Sequence, residues 1–274
     1  MSNRLLTLAA AAAAATAVSC AFAAPLYAGV GDLLVAPTRL ILNGGRGTEV
    51  ILKNIGSETA TYRVSAELRR MNPDGTLVDV KDPTPAEKAA QDMIVFAPRK
   101  VTLPPNQPQA VRVSARAPQG LADGEYRVHL LFRAIPEPTP VTAPQDAKGL
   151  AFKLIPIYGV TIPVIVRLGN LQAKARIAAV EHIKQGGKDA VALELSRVGD
   201  RSTYGEIRVM KPGVKDPVAL IKGIAVYKEI AERRVVVPFA AAYKGPLTGP
   251  VTVQYYEVSD NGASLAAETS ATLR

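Results

Sequence analysis

The residues best equipped for catalysis are few and far apart. Only two histidines occur, His129 and His182, and each sits alone in an alternating, strand-like stretch. A Ser-His-Asp triad or a histidine metal site needs such rings beside supporting partners, and this pattern offers them poorly. Both histidines therefore read as half-exposed strand residues. The single cysteine, Cys20, lies in the N-terminal segment, and neither a G-x-S-x-G elbow nor a phosphate-binding P-loop is present. Gly44-Gly45-Arg46-Gly47 is too short for a dinucleotide fingerprint and lacks the helix that should follow. No cofactor or metal is expected. An enzyme is the least favoured class, although carboxylates distant in sequence can still converge in space.

The pattern that does stand out is apolar. Phe152 to Leu168 is the most apolar run after the leader, and Tyr158, Val160, Ile162, Val164, Val166 and Leu168 keep one parity. Such a row lines one face of a strand. Pro163 interrupts it. A proline cannot donate to a ladder, so the strand is either an edge or bent there, and a buried central strand with a bulge is the alternative. A long apolar edge is a liability unless something pairs with it. The stretch from Pro136 to Gly149 is rich in proline and poor in apolar residues, and reads as a mobile loop leading into that strand.

The elements that must position this row are strands. Apolar residues recur with period two or in short β-branched runs bounded by Gly, Pro and Asn. In the first half the spacing predicts strands over 32–42, 48–53, 61–69, 93–96, 110–115, 124–134 and 154–167. The second half adds 173–183, 190–197, 205–210, 221–228, 233–239, 251–258 and 265–273. One helix interrupts: Thr84-Pro85-Ala86-Glu87 combines an N-cap, a proline at the first helical position and a capping-box Glu, and the helix runs to about Asp92. Two sets of about seven short strands predict an all-β chain of two immunoglobulin-like sandwiches in tandem, 24–168 and 169–274, joined at Leu168-Gly169-Asn170.

The N-terminus carries an address. Arg4 precedes an alanine-rich stretch from Leu5 to Val18, and Ala21-Phe22-Ala23 offers a signal-peptidase site, so residues 1–23 read as a signal peptide. Ala17-Val18-Ser19-Cys20 gives a second reading, a lipoprotein box that leaves Cys20 lipidated, though the usual large aliphatic is missing. Neither this stretch nor any other reaches the ~20 apolar residues of a membrane span. The expected compartment is the periplasm. Removing Arg4 lowers the net charge from +9 to +8. The basic residues are scattered, Trp is absent and aromatics are few, so a nucleic-acid partner is not expected. Attraction to acidic proteins or an anionic surface stays open.

Several motifs in order give a resemblance. Pro37-Thr38-Arg39-Leu40-Ile41, Asn54 through Tyr62-Arg63-Val64, and Phe96-Ala97-Pro98-Arg99 with Leu103-Pro104-Pro105 follow one another. Gln109-Ala110-Val111-Arg112-Val113 and Glu125 leading to Arg133-Ala134-Ile135-Pro136 complete the series. The first half thereby resembles the periplasmic pilus (fimbrial) assembly chaperones of the chaperone–usher family. The second half does so weakly, mainly at Val258-Ser259-Asp260-Asn261-Gly262. The resemblance implies an L-shaped pair of sandwiches with pilus subunits as clients and an outer-membrane usher as a further partner. The apolar edge strand, with Val160, Ile162, Val164 and Val166, would complement the subunit. It implies that Arg39 binds the subunit's C-terminal carboxylate. The family's second cationic anchor, a lysine, falls at Pro163, with Lys153 or Arg167 as substitutes. Glu125, Arg167 and Asp260 match charges that join the two domains. The competing class is a surface structural or adhesive sandwich protein, and self-association through the edge strand stays open.

Overall fold

The computed structural model describes residues 32–44, 47–136, 157–259 and 262–274. The leader with Cys20, the proline-rich loop to Pro156 with Lys153, and Asp260 lie outside them. In chain order the first half gives β1 (Leu33–Ala36), β2 (Leu40–Asn43), β3 (Thr48–Asn54), β4 (Ala60–Glu67), β5 (Arg69–Met71) and β6 (Leu77–Asp79). Then come α1 (Pro85–Met93), β7 (Ile94–Ala97), β8 (Lys100–Leu103), β9 (Pro108–Ala115), β10 (Gly124–Ile135) and β11 (Gly159–Leu168). The second half gives β12 (Ala173–Gln185), β13 (Lys188–Gly199), β14 (Thr203–Met210) and β15 (Ala219–Val226). It ends with β16 (Glu232–Pro238), β17 (Gly249–Ser259) and β18 (Gly262–Leu273). The architecture is all-β with one short helix, as the periodicity predicts.

The first half packs the sheet β1-β3-β9-β7 on the sheet β2-β11-β10-β4-β8. The second packs β12-β13-β16 on β15-β14-β17-β18. Period-two alternation decides what lies between the layers. Val50, Leu52, Val111 and Val113 of one sheet meet Tyr62, Val64, Leu130 and Phe132 of the other, all buried. A separate core gathers Val191, Leu193, Leu195, Ile207, Val253 and Tyr255. Each such side chain contributes about 1.5–3 kcal/mol by leaving water. Helix α1 starts as its sequence requires: Thr84 Oγ1 accepts from the backbone N–H of Glu87, and the Glu87 carboxylate accepts from the backbone N–H of Thr84. No helix among the described residues is long and apolar enough to cross a membrane.

Four readings change. The strand expected over 32–42 is two strands in different sheets, because the chain crosses between layers at Pro37-Thr38, where no proline N–H is available for a ladder. The strand expected to reach Arg69 ends at Glu67, and β5 and β6 form a separate hairpin. Neither β6 nor β8 was anticipated. Strand β6 is exposed throughout, and β8, although Val101 and Leu103 alternate into the core, is only four residues long. Finally, His129 is not half-exposed but 1% exposed.

Candidate functional site

Strand β11 is half covered. Along its whole length it pairs antiparallel with β10, from Gly124↔Leu168 to Arg133↔Gly159. On its other side β2 lies parallel, but only from Val164↔Leu40 to Arg167↔Asn43. Among the described residues nothing pairs with that side from Gly159 to Pro163. Pro163 marks the change from edge to interior: the strand is an edge up to Pro163 and interior beyond it, and its register with β10 runs on through Pro163 without a bulge. Because Leu40 is level with Val164, Arg39 stands where the open edge meets the start of β2.

The apolar row does not lie as expected. Ile162, Val164 and Val166 are 1%, 0% and 2% exposed within the core of the first sandwich, and Val160 is half-buried against the same core. These side chains already fill the space between the two sheets, so they are not presented outward. What β11 leaves free is its backbone edge and the exposed apolar residues just ahead of it, Ile157 and Tyr158.

Arg39 lies at the seam between the sandwiches. Its Nη2 donates to Ser202 Oγ at 3.4 Å, and its guanidinium sits 4.6 Å from the centre of the Tyr204 ring. Its Nε and Nη1 are buried and meet no described partner. Burial pulls its pKa below the ordinary arginine value; nearby Tyr227 and Glu125 oppose this, and Arg167 adds to it. A cleft of about 400 Å³ opens here, lined by Arg39, Arg167, Arg201, Tyr204 and Glu257 among others. Three guanidiniums line it, and two of them are neutralised by Glu125 and Glu257, which leaves Arg39 as the cation in excess. Arg201 pairs with Glu257. Arg167 donates through Nε to Glu125 at 3.1 Å and through Nη2 to the Ser202 carbonyl at 3.3 Å.

Glu125 is the hub of the seam. Its carboxylate accepts from the Ser202 backbone N–H at 3.1 Å and from Ser202 Oγ at 2.9 Å, besides Arg167. Glu125 and Arg167 are cross-strand neighbours in β10 and β11, and Ser202 belongs to the second half of the chain. The structure thus brings together two of the three residues named for the junction. The third, Asp260, is outside the described residues.

A second contact between the sandwiches had no sequence signal. Arg127 donates to both carboxylate oxygens of Glu229 at 2.5 and 3.1 Å and to the Arg69 carbonyl at 2.7 Å. It also stacks 3.6 Å from the Tyr227 ring centre. The Met71 N–H donates to Glu229 at 2.8 Å, and Met71, Ile165, Ala225 and Tyr227 share a small buried cluster. His129 lies edge-on to Tyr227, ring centres 6.4 Å apart, with neither nitrogen partnered by a described group. Burial, then Arg127 and Arg69, lower its pKa to about 3. A lone arginine and a lone glutamate 102 residues apart carry no motif, which is why this seam was missed.

Residues 44–132 match the model of an Fn3-like domain. No curated protein matches the chain by sequence. Among solved structures, the YadV chaperone is similar at 14% identity and TM-score 0.48, covering 88% of this chain and 100% of that one. The CsuC–CsuE chaperone-tip adhesion subunit complex from the archaic chaperone–usher Csu pili of Acinetobacter baumannii follows at 10% and 0.45, covering 88% and 98%. The Salmonella enterica SafA pilin in complex with the SafB chaperone gives 13% and 0.43, covering 89% and 98%.

Proposed function

We propose that this chain is a periplasmic chaperone for pilus subunits, holding a subunit strand on the open edge of β11 and its terminal carboxylate in the cleft. One observation carries the reading. The stretch Gly159–Pro163, unpaired on its outer side among the described residues, ends at Arg39, whose guanidinium is buried with two nitrogens unpartnered by any described group. A sheet edge offers N–H and C=O groups to another chain, and a guanidinium fork takes a carboxylate in two-pronged fashion. A strand lying on that edge parallel to β11 brings its C-terminus to Arg39, because β2 continues the same line in the same direction. A chain terminus is the one carboxylate every client has, so the register is set without reading a particular sequence.

Since Ile162, Val164 and Val166 serve the protein's own core, the edge works through its backbone, with Val160, Tyr158 and Ile157 as the apolar contacts. Arg167 and Arg201 line the same cleft, but each is paired with a carboxylate, so Arg39 carries the charge that Pro163 cannot share. An outer-membrane usher would then receive the subunit. A proline scan over Gly159, Val160, Thr161 and Ile162 tests the edge during co-expression with a subunit from the same operon. N–H groups along a strand point alternately to the two sides, so half of these prolines strike the β10 ladder and half the open side. The open-side variants should fold normally and lose the subunit. Subunit recovered at normal yield with every folded proline variant would overturn the proposal.

A further inference from the structure

The outward face of the β11-β10-β4-β8 sheet carries a line of unneutralised cations. Arg133 of β10 is directly opposite Arg63 of β4, and Arg63 is directly opposite Lys100 of β8. Directly paired residues point to the same side of a sheet. All three are exposed, and none has an ion pair or hydrogen bond with a described residue. Like charges set opposite one another raise the energy of a sheet, so this row is a standing cost until an anion lies along it.

Its shape says what the anion is. The row above it is neutral, Ile135–Thr61–Thr102, with Thr61 and Thr102 hydrogen-bonded at 2.9 Å. The row below, Leu131–Ser65, is neutral too. The charge is therefore a line one residue wide, crossing three strands over about 10 Å. A planar lipid surface is met by a patch. A line suits an extended chain, whose same-side residues recur about every 7 Å, within reach of long Arg and Lys side chains. One end of the line is Gly159, opposite Arg133 and first in the open edge of β11. A Cβ there would meet Leu131 Cδ1 at 3.0 Å, so only a glycine sits beside Arg133 without crowding Leu131. The other end runs into a cleft of about 640 Å³ that Arg63, Lys100 and Arg99 border, with Arg99 over Phe96 at 5.1 Å.

We propose that this row is a docking site for an acidic, extended polypeptide segment of a partner, lying across the strands from the open edge of β11 to the Arg99 cleft. The site is separate from the Arg39 cleft and does not rest on the chaperone reading. The probe is a fluorescein-labelled deca-glutamate peptide, followed by anisotropy during a salt titration. The row variant Arg63→Gln/Lys100→Gln/Arg133→Gln should bind at least tenfold more weakly than wild type, with a flatter salt dependence. A charge-matched control, Lys174→Gln/Lys184→Gln/Lys188→Gln on the second sandwich, should stay within twofold. Lys100→Gln alone, on an edge strand where it least disturbs the fold, should weaken binding about threefold. Equal losses in both triple variants would show a response to net charge only and overturn the site. Loss of binding to phosphatidylglycerol vesicles with peptide binding intact would overturn it in favour of a membrane surface.

Discussion

Replacing Glu125 by alanine is the sharpest test of how the two sandwiches are held. The carboxylate is 1% exposed and accepts from three donors: the Ser202 N–H at 3.1 Å, Ser202 Oγ at 2.9 Å and Arg167 Nε at 3.1 Å. Bonds to a charged group contribute about 1.5–3 kcal/mol each, and removing the carboxylate also relieves its own desolvation. Arg167 and Arg39 are left facing each other at the seam without the negative charge between them. Breaking a buried pair from one side typically costs about 3–5 kcal/mol, and that is the expected loss here. For a unit of this size it corresponds to a melting temperature lower by roughly 10 °C. Because the contact spans the two sandwiches, the loss should also split one unfolding transition into two. Urea unfolding followed by tyrosine fluorescence and by circular dichroism reads both effects. A double-mutant cycle with Ser202→Ala should show coupling of about 1–3 kcal/mol, since both changes remove the bond from Ser202 Oγ to the Glu125 carboxylate. A loss below about 1 kcal/mol with a single transition would refute this account of the seam.

Other expectations follow from burial. His129 is held neutral in the folded chain, its pKa lowered to about 3 by burial and then by Arg127 and Arg69, while an unfolded histidine titrates near 6.5. The unfolded state therefore binds the extra proton first: this part of the stability is complete above about pH 6.5 and is lost as pH falls toward 3, by about 1.4 kcal/mol per unit at its steepest. Unfolding midpoints between pH 7.5 and 5 should show the slope in wild type and not in His129→Phe; equal slopes would assign it elsewhere. Ile162→Asp places a carboxylate at a position 1% exposed, so it should unfold the first sandwich rather than selectively release a client. A folded Ile162→Asp protein with normal melting would return that side chain to the partner-facing set. Arg127→Ala leaves Glu229 and the Met71–Tyr227 contact unsupported, and should cost about 2–3 kcal/mol by thermal melting. A change under 0.5 kcal/mol would show, on the same scale, that the seam rests on Glu125 alone.

The sequence disclosed the sandwiches more readily than the site. Strands β9, β10, β12 and β13 alternate over long stretches, and α1 announces itself with its capping box, so both were legible. Pro37 and Pro163 were visible as interruptions, but a proline says only that a ladder bond is missing. Whether the chain turns, changes sheet or becomes an edge depends on its neighbours in space. Parity was read correctly from Val160 to Val166, whereas its direction was not. An alternating row shows that one face is apolar, and only the opposite sheet decides whether that face is already covered. Arg39, Glu125 and Arg167 were reached through family motifs, not through any local pattern. Ser202, Tyr204, Arg201 and Glu257, which complete the cleft, carry no motif and come together only when the second sandwich is placed.

The central claim is that Arg39 holds a client's terminal carboxylate beside the open edge. Its guanidinium is buried, short of partners and held mainly by Tyr204 and one long bond to Ser202, so its removal should barely alter melting. Client affinity should fall by about 2–4 kcal/mol, the range for losing one member of a charge-assisted pair at an interface. The most direct measurement is calorimetric titration of a client's C-terminal strand peptide, free or amidated, into wild type and Arg39→Ala. Amidation should weaken binding to wild type by a comparable amount and make little difference to the variant. Equal sensitivity of the two proteins to amidation would place the carboxylate elsewhere and contradict the account.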